Sequence, residues 1–186
     1  TTEIYTLSLH DALPICEENV DSETNFSNLL LSLNRLAQDY GVPVIVSTHP
    51  RTRKRLEALD TEKFDSRIRF LKPLGFFDYV KLQLEAHCVV SDSGTITEES
   101  SILGFSAVTI RQAHERPEGM DEGTLIMCGL TPDSVLKAVR VVTAQQVAQR
   151  GKTRLVTDYD TDHVSTKVLR IILSYTDYVN RTVWSK

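Results

Sequence analysis

The stretch Cys88-Val89-Val90-Ser91-Asp92-Ser93-Gly94-Thr95-Ile96-Thr97-Glu98-Glu99-Ser100-Ser101-Ile102-Leu103-Gly104 decides the fold of this chain. Its opening apolar run is too short for a helix and is β-branched, which suits a strand buried on both faces. Polar Ser91 and Asp92 stop it. Thr95 and Glu98 have the spacing of a capping box, so a helix is expected from about Thr95, ended by Gly104 in the left-handed region. A strand, a tight polar turn and a helix together present backbone N–H groups and the positive end of a helix dipole beyond the strand's carboxyl end. That arrangement is suited to phosphate, since Gly94 lets a ligand come close and the Ser93 and Thr95 hydroxyls can add hydrogen bonds, and it equally describes an ordinary capped helix of an α/β domain. Glu98 is accounted for by the cap. Glu99 has the chemistry to accept hydrogen bonds from ribose hydroxyls, as acidic residues do in dinucleotide sites.

Working outward, strands and helices alternate. Phe26, Leu29, Leu30, Leu33, Leu36, Ala37 and Tyr40 recur at helical spacing, and Gly41 ends that run. Val42 to Thr48 reads as a strand, Thr52 to Leu59 as a short basic helix, Arg67 to Leu71 as a strand and Phe76 to Ala86 as an amphipathic helix. After the central stretch come a strand at Ala107 to Ile110 and a polar loop at Gln112 to Gly123. An apolar run at Thr124 to Met127 follows, and then a helix over Asp133 to Gln146 with Pro132 at its first position. A last helix spans Asp162 to Tyr178, its apolar stripe carried by Val164, Val168, Ile171, Ile172 and Tyr175. Such alternation predicts an α/β fold, a Rossmann-like parallel sheet with helices on both faces.

Ligands of such sheets bind outside the carboxyl ends of the strands. The segments that fall there are His49-Pro50-Arg51, Lys72-Pro73-Leu74-Gly75, Ser93-Gly94-Thr95 and Arg111 to Arg116. Cations and hydroxyls thus gather on one edge, and an anionic, phosphorylated ligand is the simplest occupant. His114-Glu115-Arg116 lacks the second histidine of a zinc helix, and Cys16, Cys88 and Cys128 share no metal-ligand spacing. No metal or cofactor is expected. A formal charge of −4 over 186 residues gives no reason to expect nucleic-acid binding. No apolar run approaches the ~20 residues of a membrane span, and the cysteine usage fits a reduced, cytoplasmic setting.

The motifs Glu17-Glu18-Asn19-Val20-Asp21, Val46-Ser47-Thr48-His49-Pro50-Arg51, Ser91 to Glu99, and His114-Glu115-Arg116-Pro117-Glu118-Gly119 resemble, in that order, the non-hydrolysing UDP-N-acetylglucosamine 2-epimerases. Arg111 to Gly123 and the tail from Tyr175 to Trp184 look closest to the branch that makes UDP-N-acetyl-L-fucosamine. The resemblance implies two Rossmann-like halves in a GT-B arrangement, of which this chain carries the C-terminal, UDP-binding one. The N-terminal half, with the catalytic carboxylates, would be a missing partner, and a homodimer is the family expectation. Carried over by motif, Ser93, Gly94 and Thr95 would cradle the diphosphate and Glu99 would bind ribose. Tyr79 would sit near uracil, while His49 and Arg116 would line the same cleft. The ligand would be a UDP-linked 2-acetamido sugar. Thr95 stands where many members have a second glycine, which weakens its carry-over, and Ser106 replaces a common proline. A GT-B glycosyltransferase and a non-enzymatic nucleotide-binding module are the alternative readings.

The first residues stand apart. Thr1 to Ile15 resembles a translated sequencing adapter, so residues 1–16 are set aside and 17–186 taken as the domain. Read as native, Ile4 to Leu9 would be a strand and Asp11 to Pro14 a turn. In the family a His-Arg pair precedes the Glu17-Glu18-Asn19 motif, and Ile15 and Cys16 stand there instead. An arginine codon whose first base is replaced by the adapter's last T reads as cysteine. The expectation is therefore a truncated, catalytically incomplete chain.

Overall fold

The apolar runs do assemble into one parallel sheet. The computed structural model describes residues 4–8, 22–48, 50–57, 64–113, 116–149 and 155–185. Its strands are β1 (Ile4–Ser8), β2 (Val44–Ser47), β3 (Ile68–Leu71), β4 (Ala86–Ser91), β5 (Ala107–Thr109) and β6 (Leu125–Met127). The order across the sheet is β3-β2-β1-β4-β5-β6, every pairing parallel. The helices are α1 (Glu23–Tyr40), α2 (Pro50–Glu57), α3 (Phe76–Glu85), α4 (Ile96–Leu103), α5 (Pro117–Asp121), α6 (Pro132–Gln149) and α7 (Val164–Thr182).

Successive strand residues point to opposite faces, so each strand feeds two cores. On one face Cys88, Val90 and Val108 pack with Leu29, Leu33 and Leu36 of α1 and Val135 and Val139 of α6. On the other, Val89, Ala107 and Leu125, which stand side by side in register, pack with Ile96 and Phe105. This is the doubly wound α/β arrangement that the alternating pattern predicts. Burying Leu33 and Leu36, 2% and 1% exposed, contributes about 1.5–3 kcal/mol each.

Helix ends follow their local chemistry. The Ser22 side chain accepts from Asn25 N–H at the start of α1, and Gly41, at φ 68°, closes it. Gly104 does the same for α4, with its N–H bonded to the Ser100 carbonyl.

Four features of the structure bear on the expectations. First, the segment set aside at the N-terminus contains Ile4–Ser8, which pairs with both β2 and β4 in the middle of the sheet. Ile-Tyr-Thr-Leu-Ser is a strand-forming string, and strand order leaves a slot there for one. Second, the polar loop contains a helix, α5, with Pro117 in its first turn. Third, the capping box at Thr95 and Glu98 does not form: Thr95 is in the right-handed helical region and makes no side-chain cap. Glu98 is held elsewhere. Fourth, the apolar stripe of the last helix is exposed: Val168, Ile171, Ile172 and Tyr175 are each about half exposed in α7. Residues Thr1–Val156 and Thr157–Lys186 form two compact units, α7 belonging to the second. None of the helices among the described residues is long and apolar enough to cross a membrane.

Candidate functional site

The carboxyl ends of the strands carry an unusual density of buried polar groups. Thr48, at the end of β2, is 1% exposed and its hydroxyl donates to the Leu71 carbonyl at 2.8 Å, tying the ends of β2 and β3 together. Ser91 ends β4, Asp92 and Ser93 follow it directly, and the three are 0%, 1% and 4% exposed. The turn is built by its own side chains. The Ser91 hydroxyl accepts from Ser93 N–H at 3.1 Å, and the Ser93 and Thr95 hydroxyls are 3.0 Å apart. Thr97 N–H donates to the Gly94 carbonyl at 3.3 Å, starting α4. Ser93 is thereby held in place while Thr95 stays exposed.

Two guanidinium groups converge over this turn. A methyl group placed on Gly94 would overlap Arg116 Nη1 and would lie 3.2 Å from Arg116 Cζ and 3.3 Å from Arg111 Nη1. The space above Gly94 therefore belongs to two cations. Arg116 is aimed by Glu98, whose Oε1 accepts from Arg116 Nε at 2.5 Å. This is what displaces Glu98 from its expected cap. Two planar cations side by side above hydroxyls and a glycine are suited to a group with several anionic oxygens.

One turn into α4, Glu99 is half-buried and its Oε2 accepts from Gln83 Nε2 at 2.5 Å. Gln83 and Tyr79 lie one turn apart on α3, 0% and 7% exposed, so both face inward. Of the expected site residues, the structure thus brings Ser93, Gly94, Thr95, Glu99 and Arg116 to one turn and its helix. It links Tyr79 to them through its helix neighbour Gln83. His49, like His114 and Glu115, lies outside the described residues.

Sequence reasoning placed Arg111 on the ligand edge without naming it among the site residues, and passed over Glu98 and Gln83 as parts of the site. Arg111 stands two residues beyond β5 on that edge, and that position was its signal. Glu98 carried a misleading one, because cap spacing and ion-pair partner look alike in sequence. Gln83 had only its place one turn from Tyr79. Among the described residues no group of three or more His, Cys, Asp or Glu is placed to hold a metal ion.

Away from this edge, titration follows simple causes. Arg67 donates to Asp65 from Nη2 at 2.7 Å and holds its carboxyl down at about 2. Burial pushes the Cys88 thiol far up and the Cys128 thiol up to about 11.

A parallel doubly wound sheet with a hydroxyl-glycine turn under two arginines defines an α/β domain that presents cations, hydroxyls and a glycine together at its strand ends. The family model for UDP-N-acetylglucosamine 2-epimerase matches residues 15–173, and the chain belongs to that family. It is similar to the structure of UDP-N-acetylglucosamine 2-epimerase from Rickettsia bellii, with 48% identity and a TM-score of 0.82, covering 100% of this chain and 48% of that one. It is also similar to the Methanocaldococcus jannaschii UDP-GlcNAc 2-epimerase in complex with UDP-GlcNAc and UDP. There the identity is 27% and the TM-score 0.77, over 94% of this chain and 46% of that one. The curated sequence of the enzyme from M. jannaschii is 32% identical over 143 residues, 75% of this chain and 38% of that protein. The chain thus spans less than half the length of these relatives. Its fold is that of one domain of their two-domain, GT-B-like architecture.

Proposed function

We propose that this chain is the UDP-binding, C-terminal half of an isomerase that inverts C2 of a UDP-linked 2-acetamido sugar. The observation that carries the reading is the pair of arginines, Arg111 and Arg116, over the Ser93-Gly94-Thr95 turn, with Glu99 one helical turn away. In this reading the turn and both arginines hold the diphosphate, Glu99 accepts from ribose hydroxyls, and Tyr79 lies toward the base. His49 is assigned to the same ligand by its family motif. Support comes from membership of the epimerase family and from the M. jannaschii relative, whose structure holds UDP-GlcNAc and UDP.

The chemistry assigned is elimination followed by re-addition. A base removes the C2 proton as the C1–O bond to the diphosphate breaks, giving a 2-acetamidoglycal and UDP. Return of a proton to the opposite face of C2 and re-addition of UDP at C1 complete the inversion. This chain's share is electrostatic: Arg111 and Arg116 stabilise charge that develops on the departing diphosphate. The carboxylates that move the C2 proton are assigned to an N-terminal Rossmann-like half. The wording around Arg111 to Gly123 favours the branch producing UDP-N-acetyl-L-fucosamine, a precursor for surface polysaccharide. Residues 1–16 are assigned to adapter-derived sequence, a proposal that a long read across the 5′ end of the gene decides. A His-Arg pair before Glu17 is the expected result, and a genomic Thr1 to Ile15 overturns it.

The test of the site is a UDP titration of the chain followed by thermal melting, since a ligand that binds the native state raises Tm. UDP is expected to raise Tm, and Glu99→Ala and Ser93→Ala to shrink that rise. An equal rise in wild type and both variants refutes the site. With the upstream half supplied, exchange of the C2 proton with solvent deuterium tests the reaction.

A further inference from the structure

Gln83 is a residue that packing alone does not explain. Its side chain is 0% exposed, yet its amide oxygen has no hydrogen-bond partner among the described residues. A buried acceptor left unpaired costs stability, whereas a methionine of similar length and shape would fill the same space without that cost. What the amide does accomplish lies at its other end, where Nε2 donates to Glu99 Oε2 at 2.5 Å. The contact joins α3 to α4, residues 16 apart in the chain. One carboxylate oxygen is thereby engaged, and the rotation of the group about its own axis is set.

We propose that Gln83 is a positioning residue for the nucleoside: it fixes the Glu99 carboxylate in the orientation that accepts hydrogen bonds from a ribose diol, and so gives the site its preference for ribonucleotides over 2′-deoxyribonucleotides. The proposal rests on the assignment of Glu99 to ribose made above. It follows from the direction of the bond. An amide N–H against one oxygen holds a carboxylate that would otherwise rotate, and a held acceptor loses less entropy when it engages a ligand. A residue that costs stability while orienting a group in a cleft is the signature of a site rather than of a core.

The experiment titrates the whole chain with UDP and with 2′-deoxyuridine diphosphate, for wild type, Gln83→Met and Glu99→Ala, with Tm recorded without ligand. Wild type is expected to prefer UDP. Gln83→Met should keep or raise Tm, weaken UDP about five- to tenfold, and bring the two ligands close to equal affinity. In the double variant Gln83→Met with Glu99→Ala, the first change should add nothing to the second. Gln83→Glu keeps the shape and replaces the donor by an oxygen, so it should lose the same preference even if the methionine variant folds poorly. An unchanged UDP preference in either folded Gln83 variant, with Glu99→Ala still weakening UDP, overturns this inference and leaves the nucleotide reading intact. No binding of UDP to the wild-type chain overturns both.

Discussion

Gly94→Ala separates ligand binding from folding more cleanly than any other single change at this edge. The φ of Gly94 lies outside the left-handed region, so alanine meets no backbone strain there. The whole effect is steric. The new methyl would overlap Arg116 Nη1 and press on Arg111 Nη1 at 3.3 Å, and Arg116, a flexible side chain, would swing away. Its ion pair to Glu98 loosens as it goes. The two side chains are 27% and 30% exposed, so that loss is at most about 1 kcal/mol. For a chain of this size it corresponds to a Tm lower by no more than about 4 °C. Binding suffers more, because a charge-assisted hydrogen bond to a phosphate oxygen is worth about 1.5–3 kcal/mol. The expected affinity for UDP is therefore about ten- to 150-fold lower. Calorimetry with UDP and with uridine provides the control, since uridine carries no phosphate and should bind the variant as it binds wild type. Equal losses for UDP and uridine, or no loss for either, would refute the placement of the diphosphate over Gly94.

Three further outcomes follow from burial and charge. Leu33→Ala opens a cavity in the core shared by α1, β2 and α6, at a residue 2% exposed, and should cost about 2–5 kcal/mol in urea denaturation. Asp65 has its carboxyl depressed from 3.8 to about 2 by Arg67, so its stabilising effect is whole above pH 4 and is lost as pH falls toward 2. The Tm difference between wild type and Asp65→Asn should close over that interval. Cys128 is raised from 9.0 to about 11, so its contribution is whole below pH 9 and is lost as pH rises toward 11. In a Cys16→Ser chain at pH 7.5, a disulfide reagent should react slowly at Cys128 and reach Cys88 only on unfolding, because Cys88 is fully buried.

Much of the fold was legible because its signals are local. The spacing from Phe26 to Tyr40 with Gly41 behind it, and the apolar run before Ser91, are each set by neighbours within a few residues. The turn was legible for the same reason, since Ser93 and Thr95 hydrogen-bond each other across Gly94. What the sequence hid is long-range. Glu98 satisfies a cap spacing but answers to Arg116, 18 residues away, and Gln83 looks like one more position on an inward helical face until Glu99 is placed beside it. Short α5 lay inside a polar stretch whose proline and acids read equally well as a loop.

The central place of β1 has a consequence for handling this chain. Among the described strands only β1 joins the pair β3-β2 to the trio β4-β5-β6, and it does so through backbone hydrogen bonds to both neighbours. Trimming residues 1–16 would therefore open two inner edges at once, on β2 and on β4, each a template for pairing with another chain. Such a truncated chain should associate through those edges, and a synthetic peptide of suitable alternation added in trans should suppress that association by strand addition. Main-chain pairing sets few demands on the donor's side chains, so the gap would accept strands of quite different origin.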